Sequence, residues 1–263
     1  MLLPKPALSI LTANFKKYSQ YYDLLYQDKD YQGEAAYINR HIQNLRPDAR
    51  SLLELGAGTG NYAFHLCSLG YKVTGIERSV EMVDLAKAKQ IADFFPLVHD
   101  ITNFDLPFQF DAAVCLFHSI CYLTTYAELQ ACFTNVSKHL KPGGLFAFDI
   151  WYAPAVLHQL PATRVRRRQN DNIEIIRIAE TEMYLNKNIA EVKYQIIVKS
   201  KKDNTTTTIE EIHPMRYLSI PEIELFAELA GFKLIKSEEF MNPQPPTINS
   251  WNVLILLEKT PNE

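Results

Sequence analysis

Glu54, Glu77, Asp100 and His118 are the residues whose types and spacing could do chemistry, and each lies at or just beyond the end of a short apolar segment. Glu54 opens the run Glu54-Leu55-Gly56-Ala57-Gly58-Thr59-Gly60, with glycines at alternate positions. Glycine adopts positive φ readily and, lacking a Cβ, lets a ligand come against the backbone. Where such a loop joins a strand to a helix, N–H groups at the helix N-terminus favour an anion. The dinucleotide fingerprint G-x-G-x-x-G has its third glycine one residue later than this chain does. Glu77 closes the next apolar segment, where a carboxylate can accept both hydroxyls of a ribose. Asp100 and Ile101 follow a third such segment and could hold the exocyclic amine and the face of an adenine. His118, in Phe117-His118-Ser119-Ile120-Cys121-Tyr122, follows a fourth. It is a candidate base, since an imidazole titrates close to neutral pH.

These residues need a scaffold of alternating strands and helices. Strands are expected at Leu52–Leu55, Tyr71–Ile76, up to Val98, Asp111–Leu116 and Leu145–Asp149. Between them, Gly33–Leu45 carries apolar residues at helical spacing and stops before Pro47. Ser79 reads as an N-cap ahead of Met82 and Val83, and Thr125–Leu140 reads as a helix closed by Lys141-Pro142-Gly143. This alternation predicts an α/β fold, a doubly wound and mostly parallel sheet with helices on both faces. In such sheets ligands bind beyond the carboxyl ends of the strands. From about 162 to 213 the period changes to two, as in Glu191-Val192-Lys193-Tyr194-Gln195-Ile196-Ile197-Val198. Turn residues at Asn186-Lys187-Asn188 and Lys202-Asp203-Asn204 mark hairpins. An inserted antiparallel sheet of three or four strands is expected, its apolar face covering the ligand crevice or meeting a second subunit. Pro221–Ala230 then reads as a helix ended by Gly231, and Phe232–Phe240 and Trp251–Glu258 as the last two strands.

With 27 basic against 30 acidic residues and a net charge of −3, no global field recruits nucleic acid or an anionic membrane. Cys67, Cys115, Cys121 and Cys132 form no C-x-x-C pair and read as buried reduced thiols. The histidines show no metal-ligand spacing. There is no signal-like leader and no apolar run of membrane-spanning length, so the expectation is a soluble, cytoplasmic protein without a bound metal.

On these motifs the chain resembles the class I S-adenosylmethionine-dependent methyltransferases over most of residues 45–150 and again from about 214 to 263. The resemblance implies a seven-stranded Rossmann-like sheet ending in an antiparallel hairpin. It implies S-adenosylmethionine as cofactor and S-adenosylhomocysteine as product. Glu54, Gly56, Gly58, Gly60, Glu77 and Asp100 match the family's positions, and Ala57, Arg78, Met82, Ile101, Leu116 and Phe117 complete the implied cofactor contacts. The segment Tyr22-Asp23-Leu24-Leu25-Tyr26 with Asp30-Tyr31 resembles the N-terminal cap of members acting on amino sugars. That likeness adds Tyr18 and Tyr31 to the cofactor side, and Tyr22 and Tyr26 to the substrate side. Residues 1–45 then form a helical cap, 46–161 with 214–263 the core, and 162–213 the inserted lid.

The expected activity is methyl transfer to an amine or hydroxyl of a small molecule, foremost an amino sugar or nucleotide-linked sugar. Natural products and peptide-derived acceptors are the alternatives, and a non-catalytic nucleotide-binding module or a nicotinamide-dependent dehydrogenase are the rivals of other classes. His118 is the expected base, with Tyr22 as a catalytic contact. Tyr122, Asp149, Trp151, His213 and Arg216 are further substrate candidates. Arg164, Arg166, Arg167 and Arg168 could meet the diphosphate of a nucleotide-linked sugar, though runs of charge are ordinarily solvated.

Overall fold

A computed structural model describes residues 17–261. Phe15 and the apolar first dozen residues of the sequence lie outside that range. The chain divides into two units: residues 17–29 with 161–215, and residues 30–160 with 216–261.

The larger unit holds the alternating pattern. Helix α2 (Tyr31–Leu45) leads into β1 (Ser51–Leu55), α3 (Asn61–Ser68), β2 (Lys72–Glu77), α4 (Val80–Ala88), β3 (Phe94–Val98) and β4 (Phe110–Cys115). Then come α5 (Tyr126–His139), β5 (Leu140–Trp151), α6 (Ala153–Gln159), α7 (Ile220–Leu229), β10 (Phe232–Glu239) and β11 (Asn252–Lys259). The seven strands lie in the order β10-β11-β5-β4-β1-β2-β3. β1 pairs in parallel with β2 and β4, whereas β11 runs antiparallel to both β5 and β10. The order reverses between β1 and β4, which opens a crevice beyond their carboxyl ends. Leu52, Leu53, Ala112, Val114, Ala147 and Leu256 are fully or almost fully buried, as strands covered on both faces require.

The helices start where their caps allow. Thr125 accepts from Glu128 N–H while the Glu128 carboxylate accepts from Thr125 N–H, a reciprocal capping box on α5. Asp30 caps α2 by accepting from Gly33 N–H at 2.8 Å, and Ser79 caps α4 by accepting from Met82 N–H at 3.2 Å. Strand β5 begins earlier than the Lys141-Pro142-Gly143-Gly144 run suggests. It starts at Leu140, and these residues are taken up by a shift in register against β4.

The smaller unit is an antiparallel sheet in the order β6-β7-β8-β9, from β6 (Arg164–Gln169), β7 (Ile173–Tyr184), β8 (Ile189–Ser200) and β9 (Thr206–Arg216). Its apolar face meets a short helix of the same unit, α1 (Ser19–Leu25). Tyr18 and Leu25 pack there with Ile175, Ile196, Val198 and Ile209, and Tyr21, Tyr22 and Tyr26 lie against that cluster. The face is thus partnered by the unit's own N-terminal segment, and much of the tyrosine-rich stretch serves to bury area. Helix α2, expected in an N-terminal cap, packs instead in the core of the larger unit through Ala35, Tyr37, Ile38 and Ile42.

Lys259 shows how that core is closed. It is 8% exposed, and its Nζ donates to Ser137 O at 2.7 Å and Leu140 O at 2.8 Å, at the end of α5. Ser137 O accepts there from the Leu140 N–H as well, and a cation suits the negative end of the helix dipole. Lys259→Met keeps the aliphatic stem but removes the charged donor from both carbonyls. A loss of about 1–3 kcal/mol is expected. Thermal unfolding should show it as a fall of about 2–4 °C in Tm per kcal/mol.

Candidate active site

The glycine loop follows β1 at the switch point. Gly56, Gly58 and Gly60 have φ of 69°, 53° and 79°, so all three use left-handed backbone. A Cβ on Gly56 would stand 2.6 Å from the Ser119 side chain, and one on Gly60 would stand 2.7 Å from the Phe94 ring. A Cβ on Gly58 would meet nothing within 4 Å, so this glycine borders open space. Gly56 and Ala57 donate to Ile76 O, and Gly58 N–H donates to Glu77 Oε2 at 3.1 Å. Glu77 Oε1 accepts from Ser79 N–H at 2.8 Å. One carboxylate therefore ties the loop after β1 to the start of α4. Burial raises its pKa, opposed by the two amides.

Glu54 lies at the heart of this arrangement. It is 2% exposed, and its Oε2 is buried without a hydrogen-bond partner. Burial, with Glu77 nearby, pushes its pKa up to about 8. A buried carboxyl without a donor is costly unless a cation or hydrogen-bond donor arrives. The combination of that orphaned oxygen, the open side of Gly58 and the Glu77 carboxylate fits the amino-acid part and ribose of S-adenosylmethionine.

The turn after β4 carries the second half of the site. Phe117 and His118 have φ of 59° and 61°, two consecutive non-glycine residues in the left-handed region. Such residues persist only where their surroundings enforce them, and they cluster at functional sites. Here Asp149, 2% exposed near the end of β5, supplies the force: its Oδ1 accepts from His118 N–H at 3.1 Å. Its Oδ2 lies 3.1 Å from His118 Nε2, close enough for an ion pair but out of hydrogen-bond alignment. Ser119 Oγ donates to Leu116 O at 2.9 Å. The Trp151 ring stands 6.1 Å from His118, and Trp251 packs edge-on against Trp151 at 5.7 Å. Nothing in the residue types announced the left-handed pair, nor the supporting Ser119 and Trp251.

The other expected residues fall into three groups. Ala57, Met82 and Leu116 are buried along the crevice strands and α4, with Met82 itself in the α4 core. Arg78 lies over the Tyr122 ring at 6.0 Å, and Tyr31 packs edge-on against Tyr62 at 4.9 Å. Asp100 is exposed, with Ile101 half-buried beside it, and spends Oδ1 on Thr102, accepting from its N–H at 2.8 Å and its hydroxyl at 2.6 Å. Arg216 is buried in a structural tie: it donates to Thr124 O at 2.9 Å and to Glu222 at 2.6 Å, and lies over the Tyr126 ring. Tyr18, Tyr22, Tyr26 and His213 belong to the smaller unit. His213 Nε2 lies 3.0 Å from Glu211 Oε2, and its ring is 4.6 Å from Tyr194. No group of three or more potential metal ligands occurs among the described residues. The four cysteines are free thiols, three of them buried and Cys67 half-buried. Among the described residues no helix is long and apolar enough to cross a membrane.

The sheet order, the glycine loop at the switch point and the terminal antiparallel strand are those of the class I S-adenosylmethionine-dependent methyltransferase fold. Residues 52–144 match the family described as a methyltransferase domain. Among curated proteins, the dTDP-3-amino-3,4,6-trideoxy-alpha-D-glucopyranose N,N-dimethyltransferase of Streptomyces venezuelae is 35% identical over 135 residues, 51% of this chain and 56% of that protein. The chain thus spans about half the length of this relative, and likewise of a sugar N,N-dimethyltransferase of Streptomyces fradiae, 33% identical over 52% of this chain and 54% of that one. Among solved structures, an S-adenosylmethionine-dependent methyltransferase from Clostridium acetobutylicum superposes with a TM-score of 0.78 at 21% identity, covering 94% of this chain and 99% of that one. CalS10, an amino pentose methyltransferase from Micromonospora echinaspora, superposes with a TM-score of 0.75 at 22% identity, covering 94% and 98%. At these identities the structures speak for the fold.

The buried acid makes the ligand-free protein sensitive to pH. The Glu54 carboxyl goes from 4.5 when unperturbed to about 8 when folded. Between these values the folded chain holds a proton that the unfolded chain releases. Stability from this group is therefore complete below 4.5 and lost as pH rises through about 8. Thermal melts of ligand-free protein should show a lower Tm at about pH 8.5 than at about pH 6, and Glu54→Gln should flatten that difference.

Proposed function

We propose that the protein transfers a methyl group from S-adenosylmethionine to the amino group of a sugar carried on a nucleotide. The observation that carries the cofactor reading is the orphaned, buried Glu54 carboxyl beside three left-handed glycines. The names of the similar curated enzymes, sugar N,N-dimethyltransferases, support the acceptor. When bound, S-adenosylmethionine supplies a methyl group activated by its sulfonium. Glu54 and the backbone of Gly56, Ala57, Gly58 and Gly60 would hold its amino-acid part. Glu77 would take its ribose, and Asp100, Ile101, Met82, Leu116 and Phe117 would line the adenine side.

The chain's own chemistry then lies in orientation and proton management. Alignment of acceptor and donor can lower such a barrier by about 7–11 kcal/mol. His118 acts as the base. The Asp149 carboxylate, 3.1 Å from Nε2, favours the imidazolium formed when the ring takes a proton from the acceptor ammonium. Asp149 therefore serves His118 in this reading rather than touching substrate. Trp151, packed on Trp251, supplies a firm apolar wall beside the imidazole. The acceptor is a small molecule rather than a nucleic acid, in keeping with a net charge of −3. Free thiols at all four cysteines are in keeping with a reducing cytoplasm.

Calorimetry with S-adenosylmethionine should give saturable binding that Glu77→Ala weakens at least tenfold, a loss of about 1.4 kcal/mol or more. NAD binding without S-adenosylmethionine binding would overturn the cofactor. With a nucleotide-linked amino sugar as acceptor, His118→Asn should lower kcat about a hundredfold while leaving cofactor affinity within twofold. Methylation of peptides, and of no amino sugar in a panel, would move the acceptor to the peptide class.

A further inference from the structure

The smaller unit concentrates positive charge that its described carboxylates match only in part. Arg166 of β6 stands directly opposite Arg177 of β7 in the antiparallel register. Like charges in that position repel. Arg168 lies two residues along the same face, whereas Arg167 points to the other side and is exposed. The ring of Tyr26 is shared by both members of the pair, with the Arg166 guanidinium 5.3 Å and the Arg177 guanidinium 5.4 Å from its centre. Arg177 is 8% exposed and lies over Tyr194 at 4.7 Å. Its Nη1 donates to the hydroxyls of Tyr26 at 2.6 Å and Tyr18 at 3.3 Å.

Carboxylates do not match these cations. Asp28 pairs with Arg168 and lies 3.6 Å from Arg166, and it serves both. Among the described residues no carboxylate pairs with Arg177. The Nε atoms of Arg168 and Arg177 are buried without a hydrogen-bond partner. A buried cation held only by hydroxyls and aromatic faces bears a desolvation cost that an anion would offset. Guanidinium forks match a phosphate through paired, charge-assisted hydrogen bonds.

We propose that Arg166, Arg168 and Arg177, with the hydroxyls of Tyr18 and Tyr26, form a site for a phosphate group such as a nucleotide-linked sugar carries. The site lies wholly within the smaller unit. Its assignment to the acceptor's diphosphate rests on the methyltransferase reading above; its affinity for a phosphate group does not.

The test is calorimetric titration of the full chain in about 0.15 M salt, where non-specific phosphate contacts are weakened. The probes are inorganic phosphate, inorganic pyrophosphate and thymidine diphosphate. Saturable one-to-one binding is expected, with thymidine diphosphate at least tenfold tighter than inorganic phosphate. Arg177→Gln and Arg166→Gln should each weaken it at least tenfold, whereas Arg164→Gln, at the exposed start of the same strand, should leave it within twofold. Circular dichroism monitors folding; should Arg177→Gln fail to fold, the half-buried Arg166 and Arg168 carry the test as Arg166→Gln and Arg168→Gln. Equal affinity for inorganic phosphate and the two diphosphates would overturn the assignment to a nucleotide-borne group. Absence of saturable binding, or binding indifferent to these arginines, would overturn the site itself. Titrating the same variants with S-adenosylmethionine keeps the two readings apart: retained cofactor binding with no phosphate binding fails the anion site and leaves the methyltransferase reading standing.

Discussion

Negative charge crowded at the carboxyl edge of a parallel sheet is the constraint around which the larger unit is arranged. Glu54, Glu77 and Asp149 stand at or near the ends of β1, β2 and β5, Glu54 and Asp149 buried and Glu77 half-buried, each needing hydrogen-bond donors. Glu77 finds two backbone amides, and Asp149 finds the His118 amide, with the imidazole ring 3.1 Å away as a charge partner. Glu54 keeps one oxygen unpartnered. Two of the three acids thus shape loops, and the third faces them with an oxygen unspent. The glycines have their left-handed backbone because Glu77 and Ile76 pull the loop back onto β2. The His118 turn has its strained backbone because Asp149 reaches it from the neighbouring strand. Position and chemistry come from the same few carboxylates.

This economy explains why a histidine two residues past a strand can be held so firmly. Consecutive left-handed residues with bulky side chains cost of order 1–3 kcal/mol each. One buried carboxylate gripping the backbone of the same residue whose ring it faces offsets that strain and fixes the imidazole together. Gly56 completes the fit, since any side chain there would strike Ser119 in the first turn past His118.

Much of this was legible in the residues. The glycine spacing, the acids after β1 and β2, and the change from helical to alternating periodicity point to the sheet, its switch point and the inserted strands, because each is a local pattern with a local cause. What escaped depends on contacts between distant segments. Phe and His carry no preference strong enough to foretell the turn at Phe117-His118; Asp149 imposes it from more than thirty residues away. The apolar face of the insert demanded a partner, and only the fold shows that α1 provides it. Arg216 looked like a free cation near a strand end, yet Thr124 and Glu222 claim its guanidinium. Arg177 sits in an ordinary alternating run, and its burial among tyrosines follows from the way α1 lies on β7 and β8.

The two places where the chain leaves and re-enters the larger unit are laced to each other. Tyr152 and Leu218 form a parallel bridge, with Ala153 N–H donating to Leu218 O at 2.8 Å and Leu218 N–H to Trp151 O at 2.9 Å. Everything from Pro161 to Met215 therefore hangs from a closed neck, and the entropy of bringing its ends together is already spent by the seven-stranded core. An insertion anchored in this way can lengthen, shorten or change its strands over generations without disturbing the register of the sheet that carries it. The neck makes the four-stranded insertion an exchangeable module, free to vary while the seven-stranded sheet stays as it is.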